Sequence, residues 1–384
     1  MKYLVIRSLL IPVLLIAVLI ANGQSAIRDK QSVNLRHICR LPGVLTESSG
    51  IAIEGSNRIW SHEDSGNAAE IYCFDTTGNL LRTLTIENAN NIDWEDMTSD
   101  NEETWYIGDA GNNNCIRTDL AIYKIPSPET SPGNSVTAGI IRFNLPDQLS
   151  FPPPSSDRNY DIEAIVWHSD SLFLFTKDRS NPFTGITKMY VLPDIPGNYT
   201  ARLAGSLQIG NTPETGRITS ADINHHTGEL ILLTNTKLVS FTNYPNNRFF
   251  DGDVTEYAFT SIPGQNESIG FVSTTKLYMT EEGSGSTEGY LYEINLPKPQ
   301  AIESLDASDK LIMLYPNPAK DQVRVSCSLT DNFKLEIRDL EGRIFKQQAF
   351  LKETDVNIGY LKPDIYLLIL ENDSVRISKR FLKL

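Results

Sequence analysis

The feature of this sequence that most limits its fold is an imperfect repeat of acidic residues and short apolar strands. The repeat contains the segments TESSGIAI, DWEDMTS, YDIEAIVW, ITSADINH and QNESIGFV. Each segment carries an acid at its entry, namely Glu47, Glu95, Glu163, Asp222 and Glu267, at intervals of 48, 68, 59 and 45 residues. Each entry acid is followed by a short strand, a turn and a second apolar strand. The period therefore indicates one repeated β unit.

The second strand of each unit ends in a polar cluster at a nearly constant distance from the entry acid. The clusters contain Asp64, Asp109, Asp178, Asn235 and Glu281, which lie 13 to 17 residues after their entry acids. Helical periodicity is almost absent, and many short strands predict a sandwich, a barrel or a propeller. A unit of about 45 to 50 residues with four strands is typical of a propeller blade.

The predicted fold is therefore all-β, with a five-bladed β-propeller at residues 27–296. A six-bladed propeller is the alternative, because a degenerate blade would fit within residues 125–159. The last unit has no obvious fourth strand after YEINL. We expect the leading segment at residues 33–42 to supply that strand and close the ring.

In a propeller, the loop that enters the innermost strand and the loop that leaves the second strand lie on one face. The acids would thus converge at one mouth of the channel, where like charges repel unless a cation such as Ca²⁺ or nearby bases neutralise them. The alternative is that each acid caps a turn by accepting backbone N–H bonds. The candidate metal ligands are Glu47, Asp64, Glu95, Asp109, Glu163, Asp222 and Glu267. The candidate ligand-binding residues are His62, Arg117, Lys177, Asp178 and Arg179.

The ends and the composition of the chain limit its location and its partners. A basic start and an apolar run predict a signal peptide at residues 1–26, and no later segment is apolar enough to span a membrane. A net charge of -14 argues against a nucleic-acid partner. Four cysteines are too few for a disulfide framework and show no metal spacing, so we expect core thiols. The pairing of Cys39, Cys73 and Cys115 stays open.

Motifs of common enzymes are missing from the sequence. It contains no GxSxG elbow, no HExxH zinc pattern, no Rossmann fingerprint and no EF-hand spacing in GDAGNNN. The pair His225–His226 in NHHTGEL is predicted to lie in a solvated hairpin. No Ser-His-Asp triad can be assembled from the five histidines.

A polar linker at residues 297–310 precedes a separate tail at residues 311–384. The tail contains YPNPA at 315–319, DLEGR at 339–343, LKPDIYLLI at 361–369 and FLK at 381–383. In these motifs and their order it resembles the C-terminal sorting domain of the type IX secretion system of Bacteroidetes. The resemblance implies an Ig-like antiparallel sandwich that the outer-membrane export machinery recognises. The protein would then be released or attached to the cell surface.

The blade motifs ESSGIA, HEDSGN, DWEDM, GDAGNN, YDIEAI and TKDRSN are similar to secreted propellers of the SdiA-regulated and phytase-like esterase groups. The phytase-like resemblance implies that Glu47, Asp64, Glu95, Asp109 and Glu163 hold Ca²⁺ while Arg117 and Lys177 contact a phosphate ester. A polyphosphate substrate would demand a dense lysine cluster, which is missing. We therefore favour a secreted propeller that binds a cation or a polar ligand such as a glycan. The alternatives are a calcium-dependent ester hydrolase and a purely structural surface protein.

Overall fold

The structure is a computed structural model that divides into two compact units, Met1–Leu296 and Pro297–Leu384. It describes residues 27–100, 103–262, 264–283, 289–297, 312–328, 332–339, 343–371 and 376–384. The predicted signal peptide (residues 1–26) and residues 298–310 of the predicted linker lie outside the described residues. Within the described ranges, no helix has the length and apolar character needed to cross a membrane.

The regular secondary structure in the described part of the first unit is almost entirely strand, which confirms the all-β prediction. Its helical segments are α1 (Pro213–Gly216) and two 3₁₀ turns, Ser155–Asp157 and Phe249–Asp251. The strands are β1 (Ile27–Val33), β2 (Leu35–Arg40), β3 (Ser48–Glu54), β4 (Arg58–Glu63), β5 (Glu70–Phe74), β6 (Leu80–Ile86), β7 (Trp94–Ser99), β8 (Thr104–Asp109), β9 (Ala121–Pro126), β10 (Ser135–Val136), β11 (Gly139–Asn144), β12 (Asp161–Trp167), β13 (Ser171–Lys177), β14 (Ile186–Pro193), β15 (Gly197–Thr200), β16 (Arg202–Gln208), β17 (Ser220–Ile223), β18 (Leu230–Leu233), β19 (Lys237–Thr242), β20 (Asp253–Phe259), β21 (Asn266–Phe271), β22 (Lys276–Glu281) and β23 (Tyr290–Asn295).

These strands form five sheets, each with four antiparallel strands. The orders are β3-β4-β5-β6, β7-β8-β9-β11, β12-β13-β14-β16, β17-β18-β19-β20 and β21-β22-β23-β2, which we number as sheets one to five. Three further strands add in parallel to outer edges: β1 to β20, β10 to β6 and β15 to β11. Residues 125–159, where the sequence left room for another blade, contribute β10 and β11 to sheets one and two.

The first strands of the five sheets contact one another in the closed order β3, β7, β12, β17, β21 and back to β3. This is the radial arrangement of a propeller-like fold. Strand β2 pairs antiparallel with β23, with Leu35 opposite Ile294. The prediction that the leading segment completes the last unit is thus confirmed. Hydrogen bonds between β2 and β23 therefore join the beginning and the end of the first unit, which are far apart in the sequence.

Apolar side chains fill the space between neighbouring sheets. Trp60 of sheet one and Trp105 of sheet two meet edge to face, with ring centroids 6.0 Å apart. Between sheets three and four, Phe175, Phe241 and Phe250 share one cluster. Both faces of a sheet inside the ring are therefore buried, which explains strands that read as continuous apolar runs. All four cysteines are free thiols, and Cys73, Cys115 and Cys327 are buried, as expected for core residues.

The second unit contains seven described strands in two sheets. The strands are β24 (Ile312–Tyr315), β25 (Gln322–Cys327), β26 (Phe333–Arg338), β27 (Ile344–Phe350), β28 (Glu353–Asn357), β29 (Asp364–Glu371) and β30 (Arg376–Lys383). The sheet orders are β24-β25-β28 and β27-β26-β29-β30. Val325 from one sheet and Leu335, Leu368 and Phe381 from the other lie in a single core. Residues 340–342 of the predicted DLEGR turn lie outside the described residues.

Candidate functional site

A β-bulge near the start of the first strand sets the position of three glutamates. Glu95 is the extra residue between two neighbouring pairs of the β7–β8 ladder. Glu163 and Glu267 occupy the same place in β12 and β21. A bulge locally breaks the ladder and re-aims a side chain. The alignment of these three acids in the sequence therefore reflects one shared backbone feature.

Glu95 belongs to two groups of carboxylates that we call the outer triad and the inner triad. The outer triad is Asp64, Asp93 and Glu95, and the inner triad is Glu95, Asp161 and Glu163. Within each triad, one oxygen from every residue lies within 4.8 Å of the others. Asp64 and Asp93 are partly exposed, whereas the remaining three residues are buried. The first three sheets thus concentrate five carboxyl groups at one place.

Basic side chains of sheet three pair with Asp161 and Glu163, two of the three members of the inner triad. Lys177 Nζ donates to Glu163 Oε2 at 2.8 Å, and Arg179 Nη2 donates to Glu163 Oε1 at 2.7 Å. Arg179 Nε also donates to Asp161 Oδ2 at 2.6 Å. Although burial opposes it, the Glu163 carboxylate holds the pKa of Lys177 above its usual value, as Asp161 does for Arg179. Two of the predicted ligand-binding residues are therefore occupied by internal ion pairs.

No ion pair of the described residues reaches the outer triad. Across the described ranges, no hydrogen bond or ion pair reaches the Glu95 carboxylate, although Glu95 is only 6% exposed. Burial raises the pKa of Glu95 well above its usual value, and the charges of Glu163 and Asp64 raise it further. Burial and the charge of Asp161 raise the pKa of Asp93 to about 6. The outer triad is consequently a concentration of carboxylates without an ion pair among the described residues, and the charges of Lys177 and Arg117 offset its repulsion only in part.

Gly111 allows the Glu95 and Asp93 side chains to approach the loop after β8. A Cβ at this position would overlap Glu95 Oε1 and would lie 2.6 Å from the Asp93 carboxyl carbon. The Gly111 N–H donates to the Asp93 carbonyl at 3.1 Å, which fixes the approach. The glycine of the GDAGNN motif therefore provides space for two members of the outer triad.

Asp109 and Arg117 hold this loop in place. Arg117 Nη2 lies 3.0 Å from Asp109 Oδ1, and Arg117 Nε lies 3.0 Å from Asp119 Oδ1. Arg117 Nη1 also donates to the Gly111 carbonyl at 2.9 Å. Asp109 in turn accepts the Asp93 backbone N–H at 3.0 Å. Both predicted site residues therefore lie beside the outer triad but are engaged with the loop.

Asp178 and Glu47 are kept out of the triads by local hydrogen bonds. Asp178 accepts the Ser180 and Thr184 backbone N–H groups at 2.8 Å each and the Gly185 N–H at 2.9 Å. These bonds and the Thr184 hydroxyl lower the pKa of Asp178 against the opposing effect of burial. Glu47 is exposed, and its Oε2 accepts a bond from the Asn67 amide at 2.9 Å. Asp178 thus has the turn-capping role that the sequence left as an alternative.

Asp222 lies at a different part of the channel. Its Oδ2 accepts the Phe271 backbone N–H at 2.6 Å, which joins sheet four to sheet five. It lines a cavity of about 220 Å³ together with Met97 and His225. Burial raises the pKa of Asp222 to about 7. The structure therefore does not bring Asp222 together with Glu95.

Asp96, which the sequence analysis did not select, has a role similar to that of Asp222. Its carboxylate accepts the backbone N–H groups of Ile165 at 3.0 Å and Ala221 at 3.2 Å, and the Ser220 hydroxyl at 3.2 Å. Innermost strands have backbone donors that face the channel, and buried donors need acceptors. Asp96 thus links sheet two to sheets three and four.

His62 is buried between sheets one and two. Its ring packs edge to face against Trp94, with centroids 5.5 Å apart, and its Nδ1 lies 3.1 Å from the Glu63 carbonyl oxygen. Among the residues that the structure describes, its Nε2 has no hydrogen-bond partner. Burial lowers the pKa of His62 to about 4. His62 is therefore a neutral core residue outside both triads.

Two members of the triads, Asp93 and Asp161, were not among the predicted site residues. Each stands two positions before a bulge glutamate, in the sequences Asp93-Trp94-Glu95 and Asp161-Ile162-Glu163. The common D-x-E pattern was therefore visible in the sequence. Alignment on one acid per unit overlooked it.

Comparison with known proteins gives one family match and several distant structural matches. The family model described as the secretion system C-terminal sorting domain matches residues 313–383. No curated protein matches the chain. Among solved structures, PorZ, an essential bacterial surface component of the type-IX secretion system of Porphyromonas gingivalis, shares 12% identity. That match has a TM-score of 0.32 and covers 88% of this chain and 45% of PorZ.

Two further structural matches are equally distant. The extracellular domain assigned to a hybrid two component system of B. thetaiotaomicron shares 10% identity, with a TM-score of 0.33 and coverage of 92% and 59% of the two chains. The major allergen Mala s 1 of Malassezia sympodialis shares 8% identity, with a TM-score of 0.39 and coverage of 83% and 96%. This chain therefore spans about half of the length of the first two structures. The matched tail identifies the chain as a protein that carries the type IX C-terminal sorting domain of Bacteroidetes and that is exported to the cell surface or the extracellular space.

Proposed function

We propose that residues 27–296 form a five-bladed propeller that binds a divalent cation, Ca²⁺, at Asp64, Asp93 and Glu95. In this proposal the type IX machinery recognises the Ig-like tail at residues 311–384 and delivers the propeller to the cell surface or the medium. The observation that carries the proposal is the Glu95 carboxylate, which is buried among other carboxylates and has no partner within the described protein. A bound cation would supply that partner.

The chemistry of the outer triad suits a hard cation. Ca²⁺ binds six to eight oxygens at about 2.3–2.6 Å, so oxygens on opposite sides of one ion lie about 4.8 Å apart. The three carboxylate oxygens of the outer triad lie within 4.8 Å of one another. They can therefore share one ion while the backbone stays in place. Asp64 and Asp93 are partly exposed, so water can complete the coordination.

Binding is better supported than ester hydrolysis. In the hydrolase alternative, Arg117 and Lys177 would contact a phosphate group. Arg117 is instead paired with Asp109 and Asp119, and Lys177 is paired with Glu163. Breaking such partly buried pairs to receive a substrate would cost several kcal/mol, on the order of 3–5 kcal/mol each. An assay with a panel of phosphoesters keeps the alternative testable.

Calorimetric titration of the purified full chain with CaCl₂ after EDTA treatment tests the proposal. We expect saturable binding by the wild type and at least tenfold weaker binding by Glu95→Gln. Glu47→Gln is the matched control, because Glu47 is an exposed carboxylate that the sequence placed in the same site. Equal losses in the two variants, or no Ca²⁺ binding by the wild type, would contradict the proposal. MgCl₂ in a parallel titration measures the preference between the two ions.

A further inference from the structure

A second cavity, of about 250 Å³, lies beside the bases that pair with Asp161 and Glu163. Its lining combines basic, hydroxyl, amide and acidic groups. The residues are Lys177, Arg179, Arg217, Thr219, Asn235, Gln265 and Glu267, with Pro213 and Glu214 at one side. Lys177 and Arg179 are held by Glu163 and Asp161, so the recognition capacity of this cavity depends on the remaining groups.

Arg217 contributes a guanidinium group to the cavity, and this group forms no ion pair with a carboxylate of the described residues. Its Nε donates to the Asp178 carbonyl at 3.0 Å, and its guanidinium carbon lies 5.8 Å from the centroid of the Phe183 ring. These two contacts orient the side chain. Among the ion pairs formed by the described residues, none includes Arg217. A planar guanidinium fork suits a carboxylate, which it binds through two parallel hydrogen bonds.

Thr219 provides an independent indication of a ligand. It is only 3% exposed, and its Oγ1 has no hydrogen-bond partner among the described residues. Leaving a buried hydroxyl unsatisfied has a cost in free energy. Valine has the same shape without this cost, so the hydroxyl is unexplained by the packing. A ligand hydroxyl in the cavity that Thr219 lines would satisfy it.

The acids in the lining limit the type of ligand further. Glu267 is buried, and burial raises its pKa, although the charge of Lys177 opposes this rise in part. Both Glu267 and Glu214 can accept hydrogen bonds from hydroxyl groups, which sulfate does not offer. The volume is below the roughly 300–1,000 Å³ of pockets for drug-sized ligands, so it suits a single ring. The lining therefore favours a small molecule with one carboxylate and several hydroxyls.

We propose that this cavity binds a uronic acid, with its carboxylate on Arg217 and a hydroxyl on Thr219 Oγ1. Asn235 and Gln265 offer amide groups to the other hydroxyls. This site is separate from the proposed cation site, since Arg217 and Thr219 belong to neither triad. It gives the exported propeller a second ligand class, the acidic sugars found at the ends and in the chains of polysaccharides.

Calorimetric titration of the full chain with D-galacturonate tests this proposal, with D-galactose and sulfate as comparison ligands. We expect galacturonate to bind at least tenfold more tightly than either. Arg217→Gln should remove the preference over galactose, whereas Arg202→Gln, an exposed arginine of β16, should keep it. Equal binding of galacturonate and galactose by the wild type, or no galacturonate binding, overturns the proposal.

The variant Thr219→Val separates ligand binding from folding. Because it removes a buried hydroxyl that lacks a partner, we expect a melting temperature equal to or above that of the wild type, with about tenfold weaker galacturonate binding. Unchanged affinity overturns the role of this hydroxyl. The titrations are repeated in EDTA and with Glu95→Gln. Galacturonate binding that persists there, while Ca²⁺ binding is lost, supports the cavity as an independent site, and its loss overturns that independence.

Discussion

Glu95→Gln should make the cation-free protein more stable, although Glu95 is a buried residue in a packed channel. Most substitutions of buried residues are destabilising. Here the side chain keeps its shape, and the change removes a carboxylate that faces Asp64, Asp93, Asp161 and Glu163. Glu163 and Asp161 also repel Glu95 but are paired with Lys177 and Arg179, so the part of the repulsion that a bound cation would remove comes from Asp64 and Asp93.

The expected gain follows from the distances. Two charges 4.8 Å apart repel by about 3.5 kcal/mol at an effective dielectric constant of about 20, so Asp64 and Asp93 together would cost about 7 kcal/mol. Protonating Glu95 at pH 7 from its ordinary pKa of 4.5 costs only about 3.4 kcal/mol. Protonation of Glu95 would relieve the repulsion at that smaller cost, so about 3.4 kcal/mol is the upper limit of the expected gain. We therefore expect Glu95→Gln to raise the free energy of unfolding by about 1–3 kcal/mol in EDTA.

Thermal unfolding of both proteins in EDTA and in CaCl₂ measures this effect. For a unit of this size, 1 kcal/mol corresponds to a shift of about 2–4 °C in melting temperature. In Ca²⁺ at about 100 times the dissociation constant, the wild type should gain about 2.7 kcal/mol, and the variant should gain little. The order of stability should therefore reverse between the two buffers. A variant that is less stable than the wild type in EDTA would refute the electrostatic reasoning.

Four further predictions follow from the same contacts. Gly111→Ala should displace the Glu95 carboxylate and weaken Ca²⁺ binding at least tenfold in calorimetry. The melting temperature should change little, because only the end of a flexible side chain has to move. Unchanged Ca²⁺ affinity would contradict the role of the glycine. Asp64→Lys should supply an internal cation and make the melting temperature insensitive to EDTA, and a continued response to EDTA would be inconsistent with this. Asp222 has a folded pKa of about 7 against 3.8, so the folded state holds a proton that the unfolded state lacks. The unfolding free energy of the wild type relative to Asp222→Asn should thus fall by up to about 4 kcal/mol as pH rises from 4 to 7, as followed by urea denaturation, and a rise would contradict the assignment. Deletion of residues 311–384 should abolish surface export in a Bacteroidetes host, which protease accessibility on whole cells would detect, and normal export would argue against the sorting role.

The sequence was sufficient to predict the sheets because the repeat is carried by many strands at once. It was less reliable for the site, because a bulge adds one residue that no composition pattern marks. Glu95, Glu163 and Glu267 were aligned correctly, since each is the bulge residue of its sheet. Glu47 was not, because the bulge of sheet one lies between Ser48 and Ile51. The longer spacing of 17 residues from Glu47 to Asp64 was the available signal.

Asp222 shows a second limit of alignment by residue type. Sheet four has no bulge between β17 and β18, and the strand begins at Ser220. Asp222 therefore lies further along the channel than the entry acids of the other sheets and accepts a backbone N–H from sheet five. The sequence cannot distinguish a carboxylate that accepts channel donors from one that faces a ligand, because both follow a short polar entry. Only the ladder register separates them.

The arrangement of charges around the ring explains why the proposed cation site lies on one side of it. Lys177 follows Thr176, which is opposite Ile162, and Asp64 follows Glu63, which is opposite Ser48, so the two residues occupy equivalent positions in sheets three and one. Sheet three thus places a covalently attached ammonium group where sheet one places a carboxylate. Asp161 and Glu163 of the inner triad are paired with bases of the chain itself, whereas in the proposed function a cation from the solvent binds the outer triad. Glu95 belongs to both triads and therefore lies between the carboxylates that pair with bases of the chain and those that we propose bind a cation.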